Sequence, residues 1–260
     1  MIKLRQSVLR SALIGAAVLC WATSVLAQDT RPFNWTGFYL GGHAGGAWQD
    51  AQRHGYSDAN VLGFLPHSFP GISTNSAMGG IYGGFNWQVN RQWVVGVEAD
   101  GSLVSLRDGS NFPLPPGSHD LASRALMSAN IDGLASIRGR LGLAADKALF
   151  YVTGGAAWAQ VDYSGRLIMF PGLSEAAASS KVTVPGWVVG GGFEWALLPH
   201  WTIRGEYLYY GLSAATSFSA EFLPKPCLVG VVNATCDSPA RFSWSETNIQ
   251  VIRVGLAYKF

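Results

Sequence analysis

Cysteine is almost missing from this chain, at three residues in 260, so neither a disulfide-dense secreted scaffold nor a Cys-rich zinc module is encoded. Charge is scarce too. Only 13% of residues are Asp, Glu, Lys or Arg, against 48% hydrophobic, the reverse of the composition that keeps a chain disordered. Beyond residue 27 no stretch supplies 18 consecutive apolar residues, which excludes a bundle of membrane-spanning helices. Histidine is limited to His43, His54, His67, His119 and His200, with no pair at metal-ligand helical spacing. Glycine is abundant at 32 residues, but no Gly-Lys-Ser/Thr follows any glycine run, so the glycines read as structural and not as a phosphate cradle.

What is present begins with a leader. Lys3, Arg5 and Arg10 precede an apolar run from Ala12 to Ala22, and Val25, Leu26 and Ala27 lie just before Gln28, the layout of a secretory signal peptide. The expected division is a cleaved signal peptide over 1–27 and one β-barrel domain over 28–260; the alternative is an uncleaved membrane helix, slightly short for a span. Leu19 before Cys20 is the wrong residue for a lipobox. The leader takes three basic residues with it, leaving 15 basic against 16 acidic, a net −1, so the basic precursor gives no support for nucleic-acid binding. Cys227 and Cys236 then remain, a disulfide candidate in an oxidising compartment; half of a metal site is the weaker alternative.

The mature sequence alternates with period two. Trp93, Val95, Val97, Ala99 and Leu103 oppose Val94, Gly96, Glu98, Asp100 and Ser102, as a strand does and a helix does not. Ile81, Phe85, Trp87 and Val89 share one face of the segment before it; Ile131, Ile137, Leu141 and Leu143 oppose Asp132, Ser136, Arg138 and Arg140; Trp187, Val189, Phe193 and Trp195 oppose Glu194; Trp201, Ile203, Tyr207 and Tyr209 oppose Arg204 and Glu206; and Ile252, Val254, Leu256, Tyr258 and Phe260 oppose Arg253 and Lys259. Weaker segments run from Trp35 to Trp48, rich in Gly, and from Leu149 to Tyr163, apolar on both faces. Eight strands result. Every Pro is expected outside a strand interior. The connections alternate long and short: Gln49–Asn75, Asn90–Gln92, Leu106–Ser128, Ala145–Ala148, Ser164–Pro185, Leu198–His200 and Leu212–Glu246. That asymmetry is typical of transmembrane barrels, and strands in hydrocarbon must close to satisfy their edges.

The expected fold is therefore all-β, an eight-stranded antiparallel up-and-down transmembrane barrel in the outer membrane. Glu98, Asp100, Asp132, Arg138, Arg140, Glu194, Arg204, Glu206 and Arg253, with Lys259 on the same polar face, are read as an internal charge network, since buried ions need partners. Trp48, Trp87, Trp93, Trp158, Trp187, Trp195 and Trp201 are read as the aromatic girdle at the two interfaces.

The runs Asn34-Trp35-Thr36-Gly37-Phe38-Tyr39-Leu40-Gly41-Gly42, Ser136-Ile137-Arg138-Gly139-Arg140-Leu141-Gly142, Tyr151-Val152-Thr153-Gly154-Gly155-Ala156 and Val254-Gly255-Leu256-Ala257-Tyr258-Lys259-Phe260 resemble the small immunogenic, porin-family outer-membrane proteins of alphaproteobacteria, relatives of the OmpA transmembrane barrel. The resemblance covers nearly all of 34–260. It implies a surface-exposed, structural role in the envelope, while the residues themselves lead to the expectation of no cofactor and no enzymatic activity. Tyr258 and Phe260 resemble the C-terminal signal read by the outer-membrane assembly machinery, and a strand with a free edge suits recognition by strand addition. Expected partners are that machinery, outer-membrane lipid and lipopolysaccharide; nucleic acid is not one, and a monomer is favoured.

Alternatives remain. A narrow pore for small solutes uses the same barrel. Some relatives are described as haemin binders, for which His54, His67, His119, Tyr56 and Phe64 are loop candidates. His43 and Ser102 are a base and nucleophile candidate pair without a carboxylate indicated by spacing. A soluble lipocalin-like carrier is also an eight-stranded exported barrel, turned inside out.

Overall fold

The computed structural model describes residues 33–55, 67–107, 109–113, 124–169, 174–213, 217–220, 240–243 and 247–260. The leader, Cys227, Cys236 and His119 lie outside these residues, and so do Tyr56 and Phe64.

Eleven strands follow in order: β1 Gly37–Gly55, β2 His67–Gln88, β3 Trp93–Leu106, β4 Gly109–Pro113, β5 Arg124–Ala145, β6 Ala148–Met169, β7 Ser174–Leu198, β8 Trp201–Leu212, β9 Ser217–Ala220, β10 Ala240–Ser243 and β11 Thr247–Lys259. Eight of them close a ring, β3-β2-β1-β11-β8-β7-β6-β5, sealed by β3 against β5. Neighbours are antiparallel throughout the ring. β4 continues the ladder on β5 above β3, and β9 and β10 form a separate hairpin. The end of the ring that holds Phe33 and Phe260 carries the short turns, the periplasmic end in barrels of this kind.

The wall is apolar outside. Phe38, Ile81, Val97, Leu103, Ile137, Val152, Val254 and Leu256 are among its exposed side chains, while their strand neighbours turn inward and are buried. This polarity is the one that hydrocarbon requires, and the opposite of a carrier dissolved in water.

Three expectations need correction. First, two of the long connections, Gln49–Asn75 and Ser164–Pro185, are mostly strand: β1 and β2 stay paired as far as Gly55 and His67, and β6 and β7 to Met169 and Ser174. Ladder pairing continues past the apolar band because it needs backbone, not apolar side chains. Second, prolines do enter strands. Pro185 lies inside β7 with its carbonyl accepting from Ser213 N at 3.0 Å, so its missing N–H falls on the side where β8 has ended, at Leu212. Pro70 sits in β2 where the register with β1 shifts, and Pro113 ends β4. Third, a register shift between Ile131 and Gly133 reverses the facing of β5 at that point, as a bulge does. Ile131 therefore points into the barrel at 1% exposure.

Candidate functional site

The lumen is the one place where the described residues gather chemistry, and it is filled in three layers. Nearest the short turns, Trp35, Val94, Leu149, Tyr151 and Ala196 pack together, with Phe33 and Ala144 against them. At the other end lies an apolar layer that includes Ala47, Met78, Leu106, Ile131, Leu134, Val161, Leu208, Ile249 and Val251. The double apolarity of the Leu149 to Tyr163 segment has its reason here, since Ala157, Ala159, Val161 and Tyr163 face this inner layer. The lumen is thus not polar along its full length.

Between the layers is a belt of four arginines and four carboxylates, all buried: Arg138, Arg140, Arg204 and Arg253 with Glu98, Asp100, Glu194 and Glu206. Register places three pairs directly opposite one another, Glu98 with Arg138, Glu194 with Arg204, and Arg253 with Glu206. The side chains then reach across the interior. Arg204 Nη1 is 2.5 Å from Glu98 Oε2 and its Nη2 is 3.2 Å from Oε1, a bidentate grip. Arg138 pairs with Glu98, with Asp100 at 3.0 Å and with Glu206 at 3.2 Å. Arg253 donates to Glu206 at 2.6 Å and Asp100 at 3.1 Å. Arg140 donates to Glu194 at 2.9 Å.

Hydroxyls complete the belt. Tyr39 donates to Glu98 at 2.8 Å, Ser136 to Asp100 at 2.5 Å, Tyr151 to Glu206 at 3.1 Å and Thr202 to Glu194 at 2.7 Å. Arg204 lies over the Tyr82 ring at 3.5 Å and Arg140 over Tyr151 at 4.0 Å, a further attraction for a desolvated cation. Every carboxylate and guanidinium of the belt thus has an ionic partner, which is what a buried charge needs, while Nε of Arg138, Arg140 and Arg204 meets no acceptor among the described residues.

Inward glycines make the room. A Cβ on Gly41 would fall 2.6 Å from Tyr82 Cζ, and one on Gly255 2.9 Å from Tyr82 Oη. The glycine-rich strands are therefore the mould into which tyrosine and arginine fit, as the narrow interior of an eight-stranded barrel demands.

Two residues assigned to the network by alternation stand elsewhere. Asp132, at the bulge, is partly exposed on the outside and pairs with Lys181 at 3.6 Å. Lys259 lies at the periplasmic mouth, its ammonium 5.6 Å from the Phe33 ring centre. Sequence reasoning set Ser136 on the polar face without a role and left Tyr39, Tyr82, Tyr151 and Thr202 unassigned, although each shares an inward parity with a charge or glycine already placed.

Trp87, Trp93, Trp195 and Trp201 stand outward near the short turns, and Trp48, Trp158 and Trp187 outward toward the other end. Tyr258 is half-exposed beside Trp201 and Phe260, at 5.3 and 5.2 Å between ring centres. His54 and His67 come to neighbouring positions of β1 and β2 by register. His43 Nε2 is 2.9 Å from Ser102 Oγ and 3.4 Å from Arg253 Nη1, while its Nδ1 meets no acceptor among the described residues. A nucleophile and base set needs that second nitrogen oriented.

A family described as the outer membrane protein beta-barrel domain matches residues 13–260. Among known proteins, the 31 kDa outer-membrane immunogenic proteins of Brucella melitensis and Brucella suis are each 30% identical over 277 residues, covering 97% of this chain and 100% of theirs. Among solved structures, the attachment invasion locus protein Ail of Yersinia pestis is 14% identical, with 86% of this chain and 99% of that one covered at a TM-score of 0.40. The outer membrane protease OmpT of Escherichia coli is 9% identical, with 89% and 99% covered at 0.45.

Proposed function

The chain belongs to the outer membrane protein beta-barrel domain family, and from that premise we propose that its barrel works shut, as a structural outer-membrane element that carries loops on the cell surface. It is an integral outer-membrane protein, like the immunogenic relatives. The observation that supports a shut barrel is the layered lumen, apolar at both ends with a belt of ion-paired charges between. A solute pore needs a wet path, and the side chains of this interior occupy it. The sealed surroundings of His43 and Ser102, and the unpartnered His43 Nδ1, support a role in packing and not in hydrolysis.

Outer-leaflet lipopolysaccharide and the surrounding lipid are the proposed partners of the outer wall, and the assembly machinery the proposed partner of Tyr258 and Phe260. The test of the structural role is a deletion strain. Leakage of periplasmic enzymes and sensitivity to detergent should appear, and a barrel with trimmed loops should restore the envelope. An unchanged envelope would remove the structural role and leave the loops as the working part.

A further inference from the structure

The periplasmic mouth is closed by a segment that belongs to no strand. Residues 33–36 precede β1 and carry Trp35, which is 1% exposed and sits among Val94, Leu149, Tyr151 and Ala196. Tyr151 is also the ring under Arg140, so one layer of side chains separates the indole from the charge belt. At the opposite end the apolar layer is built from wall residues of all eight barrel strands, and no such separate piece seals it among the described residues.

The segment is fastened at few points. Trp35 N donates to Gln88 Oε1 at 3.0 Å, and Gln88 N donates to Thr36 Oγ1 at 3.0 Å. Phe33 stacks edge-on against Trp35 at 4.7 Å. The indole Nε1 meets no acceptor among the described residues, although a buried tryptophan N–H usually finds one. Among the described residues, packing, the Lys259 ammonium over the Phe33 ring at 5.6 Å and two bonds to a single glutamine hold it.

The junction with the wall has its own geometry. Gly37 has φ +140°, a conformation open to glycine and disfavoured for L side chains, and a Cβ there would meet Phe260 O at 3.1 Å. At this residue the chain leaves the wall to turn under the mouth.

We infer that residues 33–36 are a lid on the periplasmic mouth, with Trp35 as stopper and Gly37 as hinge, and that lifting the lid opens the charged chamber to small ions from the periplasmic side alone. The lid is a conformational device added to the shut barrel. It can fail while that reading stands, because the extracellular layer is independent of it.

The test uses the full-length protein with Cys20, Cys227 and Cys236 replaced by Ser and a single reporter, Thr202→Cys, at a buried position beside the chamber. Labelling by a small cationic thiosulfonate is followed on protein whose heat-modifiable migration shows a folded barrel. With Trp35 and Gly37 both native the reporter should be protected. In Trp35→Gly and Gly37→Ala it should label at least tenfold faster, in Trp35→Phe it should stay protected, and a second reporter, Leu134→Cys in the apolar layer, should stay protected in all. Should Trp35→Gly not insert, Trp35→Leu replaces it with the same two outcomes. Rapid labelling of Thr202→Cys with both Trp35 and Gly37 native, or equal rates with and without the indole, would overturn the lid. Labelling of the Leu134→Cys reporter from the periplasmic side on lid removal would overturn its one-sidedness.

Discussion

Arg204 on β8 grips Glu98 on β3 with two hydrogen bonds, at 2.5 and 3.2 Å, although these strands are four places apart in either direction around the ring. The pair spans the full width of the barrel. Glu98 also receives Arg138 and the Tyr39 hydroxyl, so the carboxylate ties the β5 and β1 walls to the same point.

Removing that carboxylate should be costly. Glu98→Ala leaves Arg204 and Arg138 without their shared partner in a buried site, and breaking such a pair from one side costs about 3–5 kcal/mol. The urea midpoint of the detergent-solubilised barrel should fall accordingly. Replacing Glu98 and Arg204 together by Met should cost less than the two single changes summed, with a coupling of about 0.5–3 kcal/mol. Strict additivity would mean that the contact across the lumen contributes nothing.

The two kinds of glycine should part company under substitution. Gly41→Ala drives a methyl group into the Tyr82 ring and the Leu256 carbonyl, and overpacking of this sort costs about 1–3 kcal/mol. Gly101→Ala adds a methyl group that meets nothing within 4 Å and should stay within about 0.5 kcal/mol of wild type. Equal effects in unfolding titrations would remove the account of glycines as a mould.

Much of the barrel is legible in the alternation itself. Glu98, Arg138, Arg204, Glu206 and Arg253 could be placed inside because each lies among apolar residues of opposite parity, and lipid permits only one orientation. Asp132 could not. A single extra residue in β5 reverses parity, and nothing in the local sequence announces it. The Gly41 and Tyr82 relationship was hidden for a different reason: it joins β1 to β2 through space, and single-strand periodicity carries no register. Trp35, placed by the sequence at the head of the Gly-rich first strand, lies ahead of β1, which begins at Gly37, since alternation that weak marks no boundary. The extended pairing above the membrane was equally silent, since Ser, Thr, Ala and Gly leave no apolar signature.

The end of the chain should separate assembly from stability. Tyr258 and Phe260 are outward, adjacent and aromatic. Deleting Phe260 should reduce the amount of inserted barrel far more than the heat stability of the protein that does insert. Wild-type insertion with lowered stability would leave Phe260 as an interfacial anchor only.

Cys227 and Cys236 should be bonded in protein taken from the envelope, in a compartment where disulfides persist. Intact mass after alkylation without reductant should show no added label on either residue; two labels would remove the bridge.

The shut barrel is tested most directly by single-channel recording in a planar bilayer with the purified, folded protein at neutral pH. The layered lumen predicts a silent bilayer at protein content that gives abundant insertion by labelling. Steady steps of uniform amplitude, abolished when the protein is heat-unfolded beforehand, would show a continuous wet path and contradict it.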